Sequence, residues 1–303
     1  PQWMKTIATV WQPLGLVILA VFLFFVLVRP WLRQGRITLD GMFCLVFLLM
    51  YWEDPLSNYF QPWFTFNTTY VNLGAWNTGL PGWMSPHGNR LGEAFLLVAP
   101  LYVCAVFAFV LIANRLMAWA EARWPRMGRL ELVALCFVFL VVADIGFECP
   151  LFMMLGAYCF AGTIPSLTVF YGHYYQYPIY EGVIWGALWT GWSCLRYFRN
   201  DKGQTLVERG VEKVRAGARS KTVLRFLALS AACNLLYIGV YNIPMGLIAL
   251  RTGPWPADIT KRSYLTDGLC GPGTTYACPS PSTPIAQRHS SHVAPDGTLV
   301  SAP

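Results

Sequence analysis

Long uncharged apolar blocks alternate with short polar stretches along the chain, and their length separates a membrane span from a buried core helix. Leu14 to Val28 runs without a charge and closes at Arg29 and Pro30. Similar blocks recur, so the pattern predicts about six helical spans: 10–28, 37–52, 93–117, 130–155, 178–198 and 222–250. Each is near the roughly 20 residues needed to cross a bilayer. The blocks are continuous and lack the two-residue alternation of a barrel, so helices are the spanning form they imply. The fold class read from this pattern is all-α, a polytopic helical bundle with one long aromatic outer loop. It divides into a membrane domain over 1–279 and a tail over 280–303, rich in Pro and Ser and expected to be disordered. A cleaved signal peptide over the first block is disfavoured, because no small-residue cleavage site follows and another apolar segment does.

Composition agrees with this reading. Charged residues make up 12% and hydrophobic residues 55% of 303 positions, far from the balance of a soluble domain. The net charge of +7 could suggest nucleic acid until the basic residues are located. They fall in alternate loops: Arg29, Arg33 and Arg36; then Arg115, Arg123, Arg126 and Arg129; then nine between Arg196 and Arg225. This is the positive-inside pattern, which places loops 29–36, 118–130 and 199–221 in the cytoplasm and both termini outside a bacterial cytoplasmic membrane. The partners it implies are membrane lipids and no nucleic acid. The basic loop after span five also has a narrow apolar side, Leu206, Val207, Val211 and Val214, suited to the inner membrane surface.

Five cysteines fall inside spans as small apolar residues, while Cys149, Cys159, Cys270 and Cys278 map to the outer side, where Cys270 with Cys278 is the better disulfide pair. Gly182 and Gly186 form a GxxxG pair able to bring span five close to a neighbour. His289 and His292 could bind a metal in principle, but the tail gives them no partners. No metal site is read from the chain, and the absence of GxGxxG, P-loop, HExxH and histidine clusters leaves no cofactor signal. Any chemistry is then acid and base work by side chains.

Ionisable residues within a membrane each require a reason. Span direction brings Glu53 and Asp54 (end of span two), Glu93 (start of span three), Asp144 and Glu148 (outer half of span four), Glu181 (first turn of span five) and His173 to one depth. Asp144 and Glu148 are four apart, hence on one helix face. Crowded, poorly solvated carboxyls hold protons near neutral pH, which a general acid requires. The candidate catalytic residues are therefore Asp144, Glu181, Glu53, Asp54 and His173. Against this stands helix capping, strongest for Glu93 and Glu181, and turn formation at Asp54-Pro55; Asp144, flanked by Val141, Val142, Ala143 and Ile145, is hardest to dismiss. The loop 53–92 interleaves Trp63, Phe64, Phe66, Tyr70, Trp76 and Trp83 with Asn58, Asn67, Asn72 and Asn77. An interfacial aromatic belt has this composition, and so does a lid over an amphipathic pocket for a greasy, hydroxylated molecule. The candidate substrate-binding residues are Asn58, Trp63, Phe66, Asn67, Glu148, Tyr175 and Asn242.

Four stretches carry a family resemblance: Tyr51-Trp52-Glu53-Asp54-Pro55-Leu56-Ser57-Asn58-Tyr59; Pro62-Trp63-Phe64-Thr65-Phe66-Asn67; His173-Tyr174-Tyr175-Gln176-Tyr177-Pro178-Ile179-Tyr180-Glu181; and Tyr241-Asn242-Ile243-Pro244. Together they resemble the spirocyclase AveC-like family of actinobacteria over nearly the whole chain except the tail. The resemblance implies a multi-span enzyme that closes a lipophilic dihydroxyketone polyketide into a spiroketal in macrolide biosynthesis, with dehydration in some members. It supplies no catalytic residues, so the assignment is Asp144 or Glu181 as acid, Glu53 or Asp54 as stabiliser and base, and His173 orienting a hydroxyl. A small transporter or lipid-binding protein using the acids as a proton or cation site is the alternative, opposed by the lack of repeats and paired broken helices.

Overall fold

The computed structural model describes all of the 303 residues except 75, 285 and 303. Six long helices dominate. α1 is Gln2–Gln34, and Gly35 ends it in the left-handed region at φ 66°. α2 is Leu39–Leu49, capped by the Thr38 hydroxyl accepting from the Gly41 amide at 3.1 Å. α3 is Phe95–Arg123, α4 Arg129–Met153, α5 Ile179–Tyr197 and α6 Ala218–Ala249.

Among the described residues four helices, α1, α3, α4 and α6, are long and apolar enough to cross a membrane, not the six expected. The physical reasons differ for the other two. α2 keeps α-helical geometry for 11 residues and tightens into a 3-10 helix over Met50–Asn58, where Glu53, Asp54 and Pro55 interrupt the apolar run. α5 is 19 residues long but spends them on Trp, Gly, Thr and Glu181. Both are interior helices. α2 buries Met42, Phe43, Cys44, Val46 and Phe47; α5 buries Gly182, Gly186, Leu188, Trp189 and Trp192. The four apolar helices instead leave large side chains outside: Val10, Leu14, Val17 and Phe25 on α1, Val138 and Val142 on α4, Leu227 and Leu235 on α6. An exposed apolar surface of this extent is stable against lipid, and the protein is an integral membrane helical bundle.

At the end carrying the basic loops, Arg196 of α5 forms a two-pronged ion pair with Asp40 of α2 at 2.8 and 2.9 Å and donates to Asn114 of α3 at 2.8 Å. This clamp fixes α2, α3 and α5 relative to one another. At the opposite end the connections build a cap. β1 (Phe64–Phe66) pairs antiparallel with β2 (Tyr158–Phe160), Phe64 opposite Phe160, and β3 (Thr168–Val169) pairs with β4 (Tyr177–Pro178). The cap has its own apolar centre, formed by Trp83, Leu91, Cys159, Ala161, Trp255, Ile259, Leu265 and Leu269, and Cys270 is bonded to Cys278 beside it. Cys149 and Cys159 are free thiols. Where disorder is expected in the tail, β5 (His292–Val293) and β6 (Leu299–Val300) form a short hairpin, and the Arg288 amide donates to the Met84 carbonyl at 2.7 Å. Backbone pairing with the cap replaces the side-chain burial that the tail's composition lacks.

Candidate active site

Four helical stretches widen into π-helix: Phe24–Val28, Leu101–Val106, Cys149–Met153 and Tyr237–Asn242. Each lies within two residues of a proline, namely Pro30, Pro100, Pro150 and Pro244. Proline withholds a backbone N–H and crowds the preceding turn, so a widened hydrogen-bond register is a local response to it. The last three of these stretches face one another at the capped end of the bundle. Between them is a partly open cavity.

Its walls are mostly aromatic, from Phe64 and Phe66 of β1, Phe147 and Phe152 of α4, Tyr158 and Phe160 of β2, and Trp185 and Trp189 of α5. Four carboxyls interrupt that surface: Asp54, Asp144, Glu148 and Glu181. Asp144, Glu148 and Glu181 form one group, with an oxygen from each lying within 4.8 Å of the others. Their spacing follows from local structure, since Asp144 and Glu148 are one turn apart on α4 and Glu181 sits in the first turn of the adjacent α5. Close approach of the two helices is permitted by Gly182 and Gly186. A Cβ on Gly186 would lie 2.5 Å from Val141 Cγ2, and one on Gly182 would lie 2.5 Å from the Tyr177 hydroxyl oxygen.

Phenols serve every member of the group. Tyr177 donates to Asp144 Oδ2 at 2.7 Å and its oxygen is 3.1 Å from Glu181 Oε2; Tyr241 donates to Glu181 Oε1 at 2.8 Å; Tyr158 donates to Glu148 Oε1 at 2.6 Å. Asp54 stands apart from the group on the same cavity. Its Oδ1 accepts from Tyr102 at 2.8 Å and Tyr237 at 3.2 Å, the two phenols also touching each other, while Oδ2 has no partner among the described residues. Burial pushes the Asp54 carboxyl up to about 6, opposed by the two phenol hydrogen bonds, so it is mostly ionised at neutral pH. Trp185 separates the two acidic regions, edge-on to Tyr102, Tyr237 and Tyr241 at centroid distances of 6.1, 5.7 and 4.9 Å.

Other residues singled out in the sequence lie elsewhere. Glu53 neighbours Asp54 in sequence but points away from the cavity, wholly buried, with Asn242 donating to its Oε2 at 3.5 Å; burial pushes its carboxyl up to about 9. His173 is exposed on the cap and stacked on Tyr175 at 5.0 Å, so neither side chain lines the cavity. Asn58 accepts from the Trp63 and Phe64 amides at 2.9 and 3.1 Å, and Asn67 donates to the Gly156 carbonyl at 2.8 Å; both brace the backbone of the loop. Trp63 is buried behind the wall, stacked on Phe160 at 5.3 Å, whereas Phe66 and Glu148 line the cavity. The five carboxyl-binding tyrosines, 102, 158, 177, 237 and 241, were not among the candidates. Four-residue spacing on one helix was the available signal for Tyr237 and Tyr241 alone.

Glu93 is buried just before α3, and its Oε1 lacks a partner. Burial, and then the charge of Asp54, push its carboxyl up to about 8. A native carboxyl that holds its proton above the ordinary range binds more protons than the unfolded chain, so stability is fully present below about pH 4.5 and declines as pH rises through about 8. The melting temperature in nanodiscs should therefore fall from about pH 5 to about pH 9. Glu93→Gln, which mimics the protonated acid, should lessen that fall and leave the part owed to Glu53; an unchanged slope would place the proton elsewhere.

The model of a family described as Spirocyclase AveC-like matches residues 34–265, most of the chain. No curated protein and no solved structure matches it. The matched range contains every carboxyl and every phenol described above.

Proposed function

This chain belongs to the spirocyclase AveC-like family, and from that premise we propose that it closes a linear dihydroxyketone polyketide into a spiroketal inside the aromatic cavity. One observation carries the reading: a single apolar chamber presents a hydrogen-bonded carboxyl group on one side and a separate carboxylate on the other. Closure requires a hydroxyl to add to the ketone, the resulting hemiketal to lose water, and the oxocarbenium ion to be captured by the second hydroxyl. The first loss needs a proton donor, and the cation needs a nearby negative charge, as in glycoside hydrolysis.

The group of Asp144, Glu148 and Glu181 supplies the donor. Three carboxyls at this separation, with phenols and, among the described residues, no lysine or arginine bonded to them, repel one another's charge and favour shared protons. Asp54, which lines the cavity, supplies the charge, its Oδ1 fixed by two phenols. Glu53 and His173 have no direct part, because neither reaches the cavity. The carboxyl group could also hold a metal ion by distance alone, and the phenol hydroxyls aimed at its oxygens suit shared protons. Trp185, Trp189, Phe147 and Phe152 hold the chain folded so that one face of the cation is open, which fixes the configuration of the spiro centre.

The same reading takes α2 and α5 as the interior pair of a six-span bundle, with the basic loops 29–36, 118–130 and 199–221 cytoplasmic and the cap outside. The Arg196 clamp at the basic end and the disulfide at the other support it. A lipophilic substrate reaches such a site through the bilayer. In an assay with purified protein in nanodiscs, the linear dihydroxyketone should close faster than without protein and to one spiro epimer. Closure at the uncatalysed rate with uncatalysed stereochemistry would end the proposal.

A further inference from the structure

The hydrogen bonds around Tyr177 contain more acceptors than protons. Its single hydroxyl lies 2.7 Å from Asp144 Oδ2 and 3.1 Å from Glu181 Oε2, and a phenol has one proton to give. The shorter contact, 2.7 Å, is the better hydrogen bond, and in one arrangement the Tyr177 proton lies along it toward Asp144. The contact with Glu181 is then a hydrogen bond only if Glu181 carries a proton on Oε2 and donates it to the phenol oxygen. Glu181 Oε1 is already an acceptor, from Tyr241 at 2.8 Å. The alternative pattern, Asp144 protonated and Tyr177 donating to Glu181, uses the same atoms. The two patterns differ by one proton passing from one acid to the other through the phenol.

We propose that Tyr177 is a proton-return residue: it carries the proton collected by Asp144 back to Glu181 after each closure. This rests on the spirocyclase reading and adds to it an order of roles. Glu181 gives its proton to the hemiketal hydroxyl, whose carbon–oxygen bond breaks, and water departs. Asp54 stabilises the cation without changing protonation. The second hydroxyl forms the new carbon–oxygen bond and gives its proton to Asp144. Asp144 then passes that proton to the Tyr177 oxygen as the phenol proton moves to Glu181. The hemiketal, formed when the first hydroxyl adds to the ketone and its proton passes to the carbonyl oxygen, is consumed; spiroketal and one water are formed, and the protein ends as it began.

The surrounding structure keeps the phenol in this position. Tyr177 is fully buried in β4, its ring edge-on to Phe160 at 5.9 Å, and Gly182 leaves room for its oxygen. Tyr177 does not line the cavity, so it acts through the two acids and does not touch substrate.

Tyr177→Phe tests the assignment, since it keeps the buried ring and removes only the hydroxyl. In rapid-mixing experiments with protein in nanodiscs, the first equivalent of spiroketal should form at the wild-type rate. Steady turnover should then slow by about a hundredfold, the lower end of what a positioned proton transfer contributes, and KM should fall with it, because a slow step after closure leaves kcat/KM unchanged. Equal loss in both phases, or no loss in either, would overturn the proposal. A second measurement needs neither turnover nor a folded phenylalanine variant. Infrared spectra of the wild-type protein should show a protonated-carboxyl band that Glu181→Gln removes, and absence of that band would overturn the shared proton. If wild-type protein closes no substrate yet shows the band, the spirocyclase reading fails and the shared proton stands.

Discussion

Glutamine in place of Glu181 is expected to lower kcat about a thousandfold and to change KM by less than about threefold, within the range that a general acid contributes. Glutamine keeps the length and the carbonyl oxygen that accepts from Tyr241 at 2.8 Å, so the first turn of α5 and its contact with α6 remain. What it lacks is a transferable proton. Departure of water from the hemiketal would then depend on Glu148 or Asp144, which are held to Tyr158 and Tyr177 at 2.6 and 2.7 Å. The effect is larger than that expected for Tyr177→Phe, because it removes the proton that starts each closure and not only its return. Steady-state closure of the linear dihydroxyketone, beside a melting curve showing an unchanged fold, measures it. Full turnover by Glu181→Gln would move the acid to another residue even where the protein remains a cyclase.

The acidic group was legible because it depends on two regularities visible in one dimension. Helical periodicity puts Asp144 and Glu148 on one face, and alternation of span direction brings the start of α5 to the same depth as the end of α4. Discrimination between Glu53 and Asp54 was not legible. Adjacent residues in a 3-10 helix point about a third of a turn apart, so one faces the cavity and the other the packed interior, and the onset of 3-10 geometry at Met50 decides which. Asn58 and Asn67 have the composition of a ligand site, yet each satisfies backbone groups of a loop that would otherwise bury them unpaired. His173 reads as chemistry next to Tyr174, Tyr175 and Tyr177, but the β3–β4 hairpin turns it to the outer surface and turns Tyr177 inward. The phenols were hidden for a related reason: a tyrosine in an aromatic-rich membrane protein is compositionally indistinct from an interfacial belt. The apolar blocks read as six spans, yet α2 and α5 fall short of a span in length or apolarity, since they are covered by protein and need no apolar outer side.

Gly186→Leu is expected to abolish detectable closure and to lower the melting temperature, because the contact it breaks includes main chain. A Cβ at this position would approach Val141 Cγ2 at 2.5 Å and the Val141 Cα and N atoms at 3.1 Å. A side chain can rotate away, but the α4 backbone cannot, so the two helices must separate. Overpacking of this kind costs about 1–3 kcal/mol and more where backbone must move. Val141 is three residues before Asp144 on α4, and Gly186 five after Glu181 on α5, so a separation there is transmitted to the carboxyls within about one turn. The Tyr177 contacts at 2.7 and 3.1 Å do not survive a displacement of about 1 Å, since hydrogen bonds to oxygen end near 3.2 Å. Gly186→Ala should fall between wild type and leucine. Pairing it with Val141→Ala should restore only part of the loss, because that change removes the Cγ2 contact and leaves the Cα and N contacts in place. Complete rescue by the pair would show that side-chain bulk alone sets the spacing of α4 and α5. Wild-type melting and closure in Gly186→Leu would mean that the acids are held together by something other than the approach of these two helices.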